Sequence, residues 1–124
     1  MDTALKEMRQ LTEFEKVQFI ILYGSAAEER MTGESDIDLC IYFAGDRARA
    51  AKFRHKVLSR LPGTRYDIQV FQNLPLYVRV EVLKGTPVFV RNTRFLYETA
   101  TETIRDFSDF KHRLHDYTGQ AAIR

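Results

Sequence analysis

Residues 17–43 read VQFIILYGSAAEERMTGESDIDLCIYF, two short apolar runs separated by a polar, glycine-broken turn. The first run, Val17 to Tyr23, is rich in β-branched and aromatic residues and stops at Gly24, so it reads as a strand buried on both faces. Residues 36–43 make a second strand, and the intervening segment has room for one short helix over residues 26–31. On that second strand Asp36 and Asp38 share a face, with Cα atoms roughly 6 to 7 Å apart, while Ile37, Leu39 and Ile41 point into the opposite layer. Two carboxylates are thereby aimed at one spot.

Working outward, Ala4, Leu5, Met8, Leu11 and Phe14 recur at helical spacing and predict an amphipathic helix over residues 3–15 that covers a sheet. Asp46 is placed to cap a helix over residues 47–61, whose Ala50, Phe53, Val57 and Leu61 share a face and which Pro62-Gly63 stops. Residues 65–71, RYDIQVF, form a third strand. Residues 76–83 fit both periods, and Pro75 near the first turn with Gly85 as a stop favours a helix. A short strand at residues 88–90 follows. Leu96, Ala100, Ile104, Phe107, Leu114 and Tyr117 then mark a long C-terminal helix over about residues 93–117, ended by Gly119. The sum is a single α/β (α+β) domain spanning residues 1–124, without linker or repeat.

Composition agrees. At 124 residues, 44% hydrophobic and 29% charged, the chain suits one core and excludes disorder. No apolar run approaches the roughly 18 residues needed to span a bilayer, and the start MDTALKEMRQ is charged and helix-forming, so the expected location is the cytoplasm. A net charge of +2 is too small an excess for a nucleic-acid platform. Cys40 stands alone in an apolar run and reads as a small buried hydrophobe. His55, His112 and His115 show no metal-ligand spacing with it.

The chemistry concentrates around the paired aspartates. Asp67 opens the third strand, and if that strand lies beside the second, a third carboxylate joins the same face. Carboxylates so grouped repel one another unless a cation compensates them, and magnesium, which prefers oxygen ligands, is the natural occupant. Gly24-Ser25 sits at the carboxyl end of the first strand, where glycine lets the backbone approach a phosphate and a helix N-terminus offers free N–H donors. A phosphate cradle facing a carboxylate-metal site is the arrangement for phosphoryl or nucleotidyl transfer. Ser25 with Glu28 also fits a helix-capping box, a role compatible with the first.

The run from Leu22 to Phe43 resembles the G-S-x10-D-x-D signature of the minimal nucleotidyltransferases of the DNA polymerase beta superfamily, and the aspartate of RYDIQVF matches their third carboxylate. The stretch VEVLKGTPVFVRNTRFLYETATETIRDF is similar to the C-terminal part of the subfamily encoded beside HEPN (higher eukaryotes and prokaryotes nucleotide-binding) ribonuclease toxins. This resemblance implies a polymerase-beta-like fold with a small mixed sheet and flanking helices. It implies that Gly24 and Ser25 bind the triphosphate, that Asp36 and Asp38 hold two magnesium ions, and that Asp67 is the third ligand and the base. It further implies an antitoxin in a hetero-oligomer with its HEPN toxin, transferring AMP from ATP to a tyrosine hydroxyl of that toxin. Many relatives carry Arg-Gly shortly after the Gly-Ser, whereas this chain has Glu28-Glu29 and then Arg30.

Two rivals stand beside this reading. A non-catalytic antitoxin would keep the fold and neutralise the toxin by covering its active site. A ribonuclease reading rests on Arg105 and His112, with six residues between them in the Arg-x6-His spacing of HEPN toxins, although here both ride one helix whose charged face is more simply solvated. The C-terminal helix also carries Phe95, Leu96, Tyr97, Phe107, Phe110, Leu114 and Tyr117, more large apolar side chains than one stripe on a small sheet absorbs. An anchor patch for a helical partner is expected there.

Overall fold

The computed structural model describes residues 2–24, 37–61 and 65–114. Strands β1 (Val17–Tyr23), β2 (Ile37–Phe43), β3 (Tyr66–Val70) and β4 (Thr86–Val90) form one mixed sheet in the order β3-β2-β1-β4. β1 pairs antiparallel with both β2 and β4, whereas β2 and β3 run parallel. Parallel neighbours need a crossover, and helix α2 (Arg47–Arg60) supplies it.

Helix α1 (Asp2–Arg9) and α2 cover one face of the sheet, where Ala4, Met8, Ala50, Phe53 and Val57 meet Ile20, Leu39, Ile41 and Ile68. Helices α3 (Leu76–Leu83) and α4 (Thr93–Leu114) cover part of the other, with Val82, Phe95 and Leu96 against Phe19, Ile21, Cys40 and Phe71. β1 and β2 are therefore buried on both sides, as their apolar runs require. Local signals set the helix limits. The Asp46 carboxylate accepts from the Arg49 N–H at 2.8 Å and caps α2, and the Pro75 carbonyl accepts from Val78 and Arg79 to open α3, which settles the ambiguous 76–83 stretch as a helix. Gly85 follows α3 and lies so close to β1 that any Cβ there would overlap the Leu22 carbonyl.

The structure departs from the sequence reading at α1, at β4 and in the inner face of α4, beside shifts of a single residue at the ends of α2 and β3. The expected helix over residues 3–15 is broken: α1 ends at Arg9, and residues Thr12–Lys16 form a 3-10 turn after Leu11 adopts extended backbone. The break drops Leu11 into the core and sets the Phe14 ring 4.9 Å from Phe89 of β4. β4 begins earlier than residue 88 and includes Pro87, which an outermost strand tolerates because it need not donate on both sides. On α4 the buried position is Thr103, 3% exposed, while Ile104, expected inward, is 54% exposed, because the helix turns Phe95, Leu96, Thr99 and Thr103 toward α3 and the sheet.

At the far edge Arg54 of α2 donates to the Ile68 carbonyl of β3. α4 starts over β4 and β1, where Leu96 shares a groove with Pro87 and Val90, and its middle lies over Tyr42 and Phe71. A helix of 22 residues is about 33 Å long, roughly twice the width of four strands. Its last turns outrun the sheet, which leaves Phe110 and Leu114 about half exposed. Tyr117, Gly119 and His115 lie outside the described residues, as do the 26–31 helix and the Pro62-Gly63 stop. Among the described residues no helix is long and apolar enough to cross a membrane.

Candidate active site

The register of β2 with β3 decides where the carboxylates go. Ile37 pairs with Tyr66, Asp38 with Asp67 and Cys40 with Gln69, so Asp38 and Asp67 stand side by side across parallel strands, on the face that carries α3 and α4. Neighbouring strands lie about 4.8 Å apart, which puts two acidic side chains in one row. The row extends to β1, where Tyr23 is the cross-strand partner of Asp38. Asp67 is half-buried, and its Oδ1 accepts a hydrogen bond of 3.0 Å from the amide nitrogen of Gln69.

Gly24 closes the row. Its φ of 79° lies in the left-handed region that side chains resist, and a Cβ at this position would overlap Asp38 Oδ2. The turn that ends β1 and the Asp38 carboxylate are in direct contact for that reason. Ser25 and Asp36, the other two residues expected at this site, lie outside the described residues, as do Glu28, Glu29 and Arg30. Among the described residues no three His, Cys, Asp or Glu side chains converge, so Asp38 and Asp67 are the pair that the structure brings together. Adjacent carboxylates on one face, against a glycine whose missing Cβ lets one of them approach the turn closely, are a donor set suited to a hard, oxygen-preferring cation with a phosphate beside it.

Burial pushes the Tyr23 phenol above its ordinary value, and Cys40, Asp67 and Asp38 add to the shift. The phenol remains protonated at neutral pH. Burial also raises the Cys40 thiol, which is fully enclosed and lies one row behind the aspartates, so it acts as packing, as its apolar setting foretold. Tyr23 and Gln69 were not singled out in the sequence. The signal for both is spacing, since Tyr23 precedes the glycine and Gln69 stands two residues after Asp67 on the same strand face.

The chain matches the polymerase beta nucleotidyltransferase family over residues 6–94. It belongs to that family. The matched span runs from α1 through β4 and holds Gly24, Asp38 and Asp67. A candidate protein adenylyltransferase of Methanocaldococcus jannaschii is 34% identical over 101 residues, 82% of this chain and 78% of that one. The fold recurs in a crystal structure of a toxin-antitoxin with AMP-PNP, with a TM-score of 0.73 at 18% identity over 99% of this chain and 98% of that one. It recurs again in a complex of tri-AMPylated Shewanella oneidensis HEPN toxin with an MNT antitoxin, with a TM-score of 0.67 at 18% identity over 98% and 97%.

The contact between Gly24 and Asp38 generates a test. Gly24→Ala must relieve both the overlap with Asp38 Oδ2 and the left-handed backbone, at a cost of about 1–3 kcal/mol. Chemical denaturation should register that loss, and nucleotide binding by calorimetry should fall at least tenfold. Unchanged binding would separate the turn from the carboxylate.

Proposed function

We propose that this chain is a magnesium-dependent protein adenylyltransferase that acts in the cytoplasm as an antitoxin, moving AMP from ATP to a tyrosine hydroxyl of a HEPN ribonuclease toxin. The observation that carries the reading is the Asp38–Asp67 row in contact with Gly24, on a chain of the nucleotidyltransferase family and similar to a candidate adenylyltransferase. The complexes of similarly folded chains with AMP-PNP and with an AMPylated HEPN toxin support the nucleotide and the partner.

In this reading Asp36, Asp38 and Asp67 hold magnesium, two ions in all, through carboxylate oxygens. When bound, the metal shields phosphate charge. Gly24 and Ser25 seat the triphosphate through backbone N–H groups. The acceptor tyrosine oxygen attacks the α-phosphorus, the bond to the bridging oxygen of the β-phosphate breaks, and pyrophosphate leaves. The phenolic proton passes to Asp67. Tyr23 is held neutral chiefly by its burial, which makes its own proton hard to remove, so it does not compete as an acceptor.

Replacing Asp36 and Asp38 together by Asn should abolish AMP transfer, read as loss of the mass increment on the toxin, while the two proteins still co-elute. Rescue of growth by that double mutant would favour the rival in which binding alone neutralises the toxin. Asp67→Asn should lower saturated turnover by about 100-fold or more and leave nucleotide affinity within a few fold, since its role is exercised as the bond forms. Weakened binding with near wild-type turnover would remove it as the base.

The overhanging end of α4 supplies the partner surface in this reading. Phe110 and Leu114 lie beyond the sheet, and the helix meets the sheet through Phe95 at Phe19 and Tyr42, four residues along β2 from Asp38. Docking there leaves the carboxylate row open. Phe110→Asp should weaken association with the toxin about tenfold or more by calorimetry while the isolated chain keeps its fold and nucleotide binding. Undiminished association would take α4 out of the interface.

A further inference from the structure

Gln69 is a polar residue on this sheet face, beside the carboxylate row, that the proposed chemistry does not use. Its neighbours along the face are Asp67 on β3 and the fully buried Phe71 just past the end of that strand, and its partner across the strand is the fully buried Cys40. An amide set among such groups loses water contacts and costs stability unless it is hydrogen-bonded. The partner it finds is Asp67 Oδ1, at 3.0 Å from Nε2. Residues two apart on a strand have Cα atoms roughly 6 to 7 Å apart, a gap that the glutamine side chain spans and that asparagine, one methylene shorter, does not.

We propose that Gln69 is a positioning residue for Asp67, fixing one carboxylate oxygen so that the other faces the reaction in a single orientation. The inference rests on the transferase reading of the site. A carboxylate free to rotate presents either oxygen at variable angles, whereas a donor on Oδ1 selects one rotamer and leaves Oδ2 for the metal or the acceptor proton. Gln69 touches neither substrate nor metal in this scheme, and its influence passes wholly through Asp67.

That restriction makes the test sharp. Gln69→Leu keeps the size and removes the donor, and should lower turnover about 10- to 100-fold with the KM for ATP within twofold. Gln69→Asn should behave like Gln69→Leu, because it cannot reach. In the Asp67→Asn background, Gln69→Leu should cost almost nothing more, since the group it positions is already gone. Independently of activity, the side-chain amide resonance of Gln69 in the nitrogen-15 spectrum should move when Asp67 becomes Asn, because a bond to a charged acceptor becomes one to a neutral acceptor. Full turnover in Gln69→Leu, a loss that multiplies undiminished with Asp67→Asn, or an unmoved resonance would each overturn the proposal. A wild-type chain that moves no AMP would overturn the transferase reading instead, and the resonance would still decide whether Gln69 holds Asp67.

Discussion

The alignment of β2 with β3 is the constraint on which the rest of the molecule depends. Side chains alternate along a strand, so a slip of one residue would carry Asp67 to the apolar face and bring Ile68 and Val70 to the carboxylate side. The observed register avoids this because Ile37, Leu39 and Ile41 share one core with Ile68, Val70 and the buried residues of α2. Hydrophobic burial of five residues on one side thus fixes two acidic groups on the other. The carboxylate row is a by-product of core packing, which is why it can be rigid although like charges stand together in it.

The same division explains what covers each face. α1 and α2 cover the middle of their side closely, with most core residues there at or near zero exposure, and leave Leu22, Tyr66 and Val88 partly buried. The opposite side is shared: α3 and α4 pack over Phe19, Tyr42 and Phe71, whose rings form a tilted and edge-on cluster with Phe95, and they leave the Tyr23, Asp38, Asp67 end uncovered enough for Asp67 and Tyr23 to remain only half-buried. One face therefore carries a hydrophobic half that stabilises and a polar half that can bind. Cys40 and Gln69 occupy the boundary between them.

Much of this was readable in the chain because the signals are local. The apolar runs of β1 and β2, the Asp46 cap and the Pro75 and Gly85 limits of α3 each depend on a few neighbouring residues. The break after Arg9 was not readable, since Leu11 and Phe14 keep helical spacing and are pulled apart only by the core and by Phe89, 75 positions beyond Phe14. Likewise Thr103 displaces Ile104 from the inner face because α3 sets the roll of α4, and nothing in the helix itself encodes that roll. The Gly-Ser and Asp-x-Asp spacing marked the site in one dimension. Asp67, placed beside them on the condition that its strand pairs with the second, stands opposite Asp38 in the observed register, but that Tyr23 and Gln69 flank the pair becomes visible only once three strands are laid side by side.

The two borders of the sheet carry a further consequence. Pro87 lacks an N–H on β4, and the Ile68 carbonyl of β3 is already engaged by Arg54, so neither outer strand offers an unbroken ladder to a fifth. The sheet is thereby protected against growth by strand addition, the route by which exposed β-edges drift into aggregates. Contact with other molecules is thereby left to the flanking helices, and not to the backbone at the edges of the sheet.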